Sequence, residues 1–450
     1  MPVSVKLKRG LDIKISGHSE KKLVLDIHSD LYGVKPVDFP GLTPKLTVRP
    51  GDKVLAGSPV FYDKVRPEIM FTSPVSGNVM AVVRGDQRKL LEIVIQKDGD
   101  EYIQFEKSDP AKLSREKVKE SLLSSGLWPS IRQRPYHRIA NPADVPKSIF
   151  ISGFDSSPLA PDYKFIIDNS SASLFQNGIV ALKKLTDGKI NLVLNGKGES
   201  SETLKKAADV EIHQFSGPHP AGNVGVHIHH IDPINKGEIV WFVNIQDILS
   251  IGRLFAEGIY KPEKIIALTG SEVINRQYYK IISGASIAPY VKNNVKEGQL
   301  RYISGNVLTG SRIEPEGFVG YYDSQVTVIP EGDYFEFFGW AKPGADKFSF
   351  SKTFLSSLAP RKSYRLDTNL HGGERAFVIT GIYEKVLPMD IYPMQLLKAI
   401  LFNDIDGMEN LGIYEIAEED FALCEFICPS KIEIQSIVRQ GLDSMVKEMS

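Results

Sequence analysis

Cysteine is nearly missing from this chain. There are two in 450 residues, Cys424 and Cys428, both near the C-terminus. That rules out a disulfide framework and makes a reducing compartment the default expectation. Long hydrophobic runs are missing too. The richest stretch, Ile239 to Ile251, is interrupted by Asn244, Gln246 and Asp247, whereas a bilayer span needs roughly 18 or more apolar residues. The opening, Met1 to Leu11, lacks the apolar centre of a secretory signal. Neither sign of charge is in surplus. With 54 Lys and Arg against 55 Asp and Glu, there is no basic stripe of the kind that marks a nucleic-acid binder. Glycine-rich phosphate loops are absent as well. Gly196-Lys197-Gly198 lacks the third glycine of a dinucleotide fingerprint, and the Gly-x4-Gly-Lys-Ser/Thr order does not occur. That triplet reads as a solvated turn. Any association with a membrane is therefore expected to run through a partner chain.

What is present is an ordinary globular composition, 42% hydrophobic and 24% charged, in a chain too long for one core. The expectation is a multidomain fold of α/β and β units. Residues 1–105 read as short apolar strands between turns such as Pro50-Gly51-Asp52 and Ser76-Gly77. The segments Val48 to Val60 and Phe71 to Val79 resemble the paired halves of the biotinyl/lipoyl carrier family, which implies a barrel-sandwich hybrid. Lys64 lies between them, and a scaffold barrel is the better reading than a prosthetic arm on that lysine.

Residues 106–262 read as a Rossmann-like α/β unit. Asp109-Pro110 is a helix-start signal, and Leu113, Val118 and Leu122 form the stripe that Gly126 ends. Ser148 to Ser152, Ile190 to Leu194 and Val210 to Phe215 are strand-like, with helical spacing between them. Residues 263–355 return to β character. Arg301 to Gly310 and Val326 to Pro330 resemble a soluble-ligand-binding β-grasp (SLBB) module, and Tyr334, Phe335, Phe337, Phe338 and Trp340 form an aromatic run expected in core or interface. Residues 356–450 read as a connector around Leu370 to Glu374 and then a helical unit. Met394, Leu397, Ile400 and Leu401 supply its stripe, and Ser430 to Glu433 gives a capping-box signature for the last helix.

Five of the nine histidines fall between His213 and His230. Gly217-Pro218-His219-Pro220-Ala221-Gly222 fixes an irregular backbone. Alternation of Val226 and Ile228 with His227 and His229 reads as a half-strand. His213, His219, Gly222, Gly225, His227 and His229 are the candidate residues of a functional surface. A histidine-cluster metal site is the alternative, weakened by the absence of Cys or Asp partners at regular intervals.

Laid backward from Cys428-Pro429, the Cys-x2-Cys-x2-Cys-x3-Cys-Pro run of iron–sulfur cubanes meets Cys424, then Phe421 and Glu418. Two thiolates do not complete the shell, so these four resemble degenerate cluster positions, not ligands, in a ferredoxin-like helical unit; two unrelated buried cysteines are the alternative reading.

Arg9-Gly10-Leu11-Asp12, Phe71 to Gly77, Gly126-Leu127-Trp128-Pro129, Gly217 to Gly222 with His227-Ile228-His229, and Tyr302 to Gly305 together resemble the A subunits of sodium-translocating NADH:quinone oxidoreductases. The chain is also similar to the C subunit of Rnf electron-transport complexes and to the flavin subunit of respiratory complex I. Those relatives bind FMN through a glycine-rich loop and keep their cysteines. Here Leu127 and Trp128 stand where the backbone would approach a phosphate, and Arg132 and Arg134, while able to meet an anion, read as exposed, solubilising side chains. The resemblance implies a peripheral subunit on the cytoplasmic face of a bacterial inner membrane, not catalytic alone. It implies no tightly bound cofactor and no metal in this chain. NADH, FAD, FMN and Fe–S are carried by membrane and reductase subunits, with ubiquinone or menaquinone as acceptor. The resemblance also implies that His213, His219, Gly222, Gly225, His227 and His229 serve quinone contact, through imidazoles that can hydrogen-bond its carbonyls, or a subunit interface. A flavin-dependent NADH dehydrogenase subunit is the remaining alternative.

Overall fold

The computed structural model describes residues 2–358 and 363–449, and the side chain of Trp340 lies outside the described ones. At its centre is a seven-stranded sheet. Its spatial order is Ser4–Lys6, Glu211–Ser216, Lys189–Asn195, Ser148–Ser152, Val240–Val243, Ile131–Arg134, Arg138–Ile139. The first five run parallel; Ile131–Arg134 is antiparallel to Val240–Val243, and Arg138–Ile139 is antiparallel to Ile131–Arg134. Ile149, Phe150, Ile151, Leu192 and Val193 are all buried, as expected of parallel strands covered on both faces. Ala172–Lys184 packs on Ile245–Glu257 over one face. Chain order reverses between Ser148–Ser152 and Val240–Val243.

The two halves of the barrel-sandwich are a four-stranded and a three-stranded sheet. Lys64 opens the exposed turn between Pro59–Asp63 and Met70–Thr72, and Arg66 in the same turn bonds the Ile139 carbonyl. A six-stranded sheet carries the β-grasp region. Two strands of the first 105 residues pair elsewhere. Ser4–Lys6 joins the α/β sheet, and Leu23–Val24 joins the β-grasp sheet. Such pairings depend on partners roughly 200 residues away and leave no local trace.

Several local expectations are corrected. Asp109-Pro110 makes only a 3-10 turn, Pro110–Lys112. The helix Arg115–Ser125 is capped by Ser114, whose hydroxyl accepts from the Lys117 N–H, and it ends at Gly126 with φ 78°. The histidine stretch is a helix, Val224–Ile231, not a strand. Eight residues with apolar side chains at Val224, Ile228 and Ile231 satisfy the helical period as well as alternation does. The last helix, Ile434–Met449, receives no capping box from Ser430, whose hydroxyl bonds the Ala376 carbonyl. Glu425 accepts from the Gln435 N–H instead, at 2.7 Å. Leu401 is exposed, while Met394, Leu397 and Ile400 are buried. Phe335 and Phe337 lie outside the core.

The units share their cores. One apolar cluster joins the sandwich, the outer helices of the α/β unit and the β-grasp. A second joins Phe150, Val193, Val240 and Phe242 on the opposite sheet face to Phe421, Leu423, Ile434 and Leu442 of the C-terminal helices. Each such buried side chain contributes roughly 1.5–3 kcal/mol. The C-terminal unit is thus a lid built into the sheet's second face.

Candidate functional site: the strand-reversal crevice and the histidine helix

In an open α/β sheet, ligands bind beyond the carboxyl ends of the strands where the order reverses. In this chain that place is filled from within. The Arg132 guanidinium lies between the rings of Phe242 and Tyr322, at 4.4 and 4.1 Å from their centroids. It donates to Asn244 Oδ1 at 3.1 Å and to His137 Nε2 at 3.1 Å. Neutral His137 therefore carries its proton on Nδ1 and donates to Glu418 at 3.0 Å. Burial, opposed by Glu418, lowers its pKa and keeps it neutral.

Two residues on, Arg134 points to the same sheet face and is fully buried. It donates to Glu419 at 2.9 Å and to Asp420 at 3.1 Å. This corrects the reading of Arg132 and Arg134 as exposed solubilising residues. Arg439 extends the network by bonding Glu418 at 3.0 Å and Asp443 at 2.9 Å. Burial pushes the Asp420 carboxyl up to about 6 despite Arg134. Desolvation by burial likewise raises Asp155, on the loop after Ser148–Ser152, against the N–H of Ser157.

The degenerate cluster positions sit in this network and under it. Glu418 is paired as above, and Phe421 is core. Cys424 and Cys428 are free, buried thiols; Cys428 Sγ lies 3.0 Å from the Tyr383 hydroxyl, and burial raises the Cys424 pKa. An iron–sulfur cubane does not fit here, because two of its four corners are a salt-bridged carboxylate and a packed phenyl ring.

Nor does FMN fit. Leu127 and Trp128 are buried, Trp128 Nε1 donates to the Ala140 carbonyl at 2.8 Å, and its ring meets Trp241 edge-on at 5.5 Å. The Tyr322 hydroxyl donates to the Pro129 carbonyl at 2.6 Å. The turn Gly126 to Ser130 thus offers packed side chains, not the bare backbone that close approach to a phosphate requires.

The histidines are near one another in sequence but face different neighbours. His213 accepts from the Val3 N–H at 3.1 Å and donates to Asn191 at 3.1 Å, joining the N-terminal strand to the sheet. His219 Nδ1 meets Ser156 Oγ at 3.0 Å, and the same oxygen accepts from the Gly222 N–H at 2.7 Å. The His219 N–H donates to Asp12 at 2.9 Å. Buried His227 donates through Nε2 to the Ala221 carbonyl at 2.8 Å. His229 accepts from the Asp390 N–H at 3.1 Å and donates to Glu415 at 2.7 Å. On the helix, His227 and His229 do not share the face that a strand would have given them. Burial lowers His219 and His227 to about 4 each. Among the described residues no group of three or more His, Cys, Asp or Glu side chains could hold a metal ion.

Gly225 links the two regions. A Cβ there would stand 2.5 Å from both carboxylate oxygens of Asp420, so only glycine lets the helix end approach that acid. Sequence reasoning missed His137 and the Glu419–Asp420 pair. The available signal was four scattered ionic side chains of each sign, Arg132, Arg134, Arg138 and Arg439 against Glu418, Glu419, Asp420 and Asp443, set in apolar surroundings.

Three family models match the chain. The NqrA N-terminal barrel-sandwich hybrid domain matches residues 5–98, the NqrA second alpha/beta domain residues 113–260, and the NQRA C-terminal (SLBB) domain residues 265–314. The A-type subunit of the Na(+)-translocating NADH-quinone reductase of Yersinia pestis is 39% identical over 448 residues, covering 99% of this chain and 100% of its own. Its counterpart in Pasteurella multocida (strain Pm70) is 38% identical with the same coverage. A solved NAD+-reducing NiFe-hydrogenase aligns over 75% of this chain and 62% of its own at 11% identity, with a TM-score of 0.39.

Proposed function

Since this chain belongs to the family of Na(+)-translocating NADH-quinone reductase A subunits, we propose that it is the peripheral, redox-centre-free subunit of a sodium pump driven by NADH oxidation and quinone reduction. It sits on the cytoplasmic face of a bacterial inner membrane and docks on the membrane and reductase subunits. NADH, FAD, FMN and Fe–S belong to those partners, and ubiquinone or menaquinone is the acceptor. The observation that carries this reading is the crevice at the strand reversal, occupied by Arg132 between Phe242 and Tyr322. A polypeptide that held a flavin at its strand reversal would need that space.

No helix among the described residues is long and apolar enough to cross a membrane, which supports attachment through partners. The C-terminal helices are a ferredoxin-like unit whose cluster positions have been turned to packing and ion pairing. His213, His219, Gly222, Gly225, His227 and His229 serve as an internal brace, with quinone contact confined to the outer rim around His229. Cross-linking a photoreactive quinone into the assembled complex, followed by peptide mapping, tests this. Labels on Val224–Ile231 support the rim; labels on partner subunits alone remove quinone contact from this chain.

A further inference from the structure

The segment after the last β-grasp strand, Gln325–Pro330, is built in two unlike parts. Its base is fixed. Glu331 takes Arg301 through two bonds of 2.7 Å, and the Gly332 N–H donates to Thr368 at 2.8 Å. Tyr334 is held twice: its hydroxyl donates to Asp367 at 2.8 Å, and its carbonyl accepts from Asn369 at 2.9 Å. Its tip is the opposite. Phe335 and Phe337 are 106% and 83% exposed, and Phe337 meets the Phe338 ring edge-on at 4.6 Å. Large apolar side chains projecting together from a hydrogen-bonded base mark a contact surface rather than stray exposure. A fixed base also lowers the ordering cost of binding.

The charge around the tip selects the partner. Residues 331–347 hold four acids, Glu331, Asp333, Glu336 and Asp346, against two lysines, and with Arg301 on Glu331 the segment keeps a net charge of -1. Both lysines lie on Glu336: Lys342 at 3.0 Å, and Lys347 closer still. A net-acidic loop is repelled by an anionic lipid surface, which attracts basic segments. It suits an apolar groove with a basic rim on a protein.

We propose that Phe335 and Phe337 are the anchors by which this chain docks into a basic-rimmed apolar groove on another subunit of the same complex. The proposal rests on the docking role above and names the surface that performs it. The test uses the whole complex, purified through a tag on a different subunit, with this chain either unchanged or carrying Phe335→Ser and Phe337→Ser. Retention of the doubly substituted chain through salt washing falls about tenfold or more. Its melting temperature in isolation stays unchanged, because both side chains are already in water. Asp333→Lys gives a smaller loss in the same direction. A benzophenone side chain at position 337 cross-links to a sister subunit. Undiminished retention of the double variant overturns the loop assignment alone, as does cross-linking only to lipid or to a second copy of this chain. Absence of the unchanged chain from the purified complex overturns the docking role with it.

Discussion

Arg134 is the residue on which the C-terminal lid is most exposed to damage. Its guanidinium and the Asp420 carboxylate are fully out of water, while the Glu419 carboxylate keeps about a quarter of its surface exposed. Removing one partner leaves the others charged and desolvated, which costs roughly 3–5 kcal/mol. Arg134→Met should therefore lower the stability read from denaturant melts by that amount, and Arg134→Met with Asp420→Asn should recover part of it. An unchanged midpoint would show that the pairs do not form. The buried imidazoles set a pH dependence of known sign. His219 and His227 have folded values near 4 against about 6.5 unfolded. Below about 6.5 the unfolded chain takes up protons that the folded chain refuses, so stability declines as pH falls from there and levels off below about 4. Asp420 runs the other way. Its raised value means that protonation near 6 relieves the folded state. Replacing His227 with Gln should flatten the stability profile between pH 6.5 and 4, read from melts across that window.

The helix Val224–Ile231 shows how an element can be legible in composition and misread in period. Its apolar and imidazole side chains were visible, but an eight-residue run with apolar side chains at 226, 228 and 231 does not choose between periods. What decides is tertiary: Gly225 lets the helix end reach Asp420, an acid far along the chain in the C-terminal unit. Glycine in a helix ordinarily costs about 1 kcal/mol relative to alanine, so Gly225→Ala would be stabilising on propensity alone. With the new methyl 2.5 Å from Asp420, the substitution should instead destabilise by about 1–3 kcal/mol, as overpacking does. A gain in midpoint would mean that the helix and Asp420 stand further apart. The strands of the α/β sheet, by contrast, were legible because Ile149 to Ile151 and Leu192 to Leu194 are apolar on both faces, a local signal. Ser4–Lys6 was not, since an edge strand is recognised only by its neighbour.

Across the whole molecule, the unit order was readable from changes of pattern along the chain, and the missing glycines and cysteines were readable directly. What replaces them was not. An arginine two residues from another arginine looks solvated until the fold places an aromatic ring on each side of it. The second apolar cluster, shared between the sheet and the C-terminal helices, implies that these parts unfold together. A chain ended after residue 380 would leave Phe150, Val193 and Phe242 uncovered, and it should be recovered as aggregate rather than as a smaller stable protein. A soluble, cooperatively melting fragment would contradict the shared core. The central proposal is that packed side chains in the turn Gly126 to Ser130 and the residues Glu418 and Phe421 leave no place for a flavin or an iron–sulfur cluster. The direct measurement is flavin released on denaturation, together with iron by elemental analysis, on the purified, correctly folded chain. The account predicts far less than one of either per chain; one flavin or one cluster's iron per chain would contradict it.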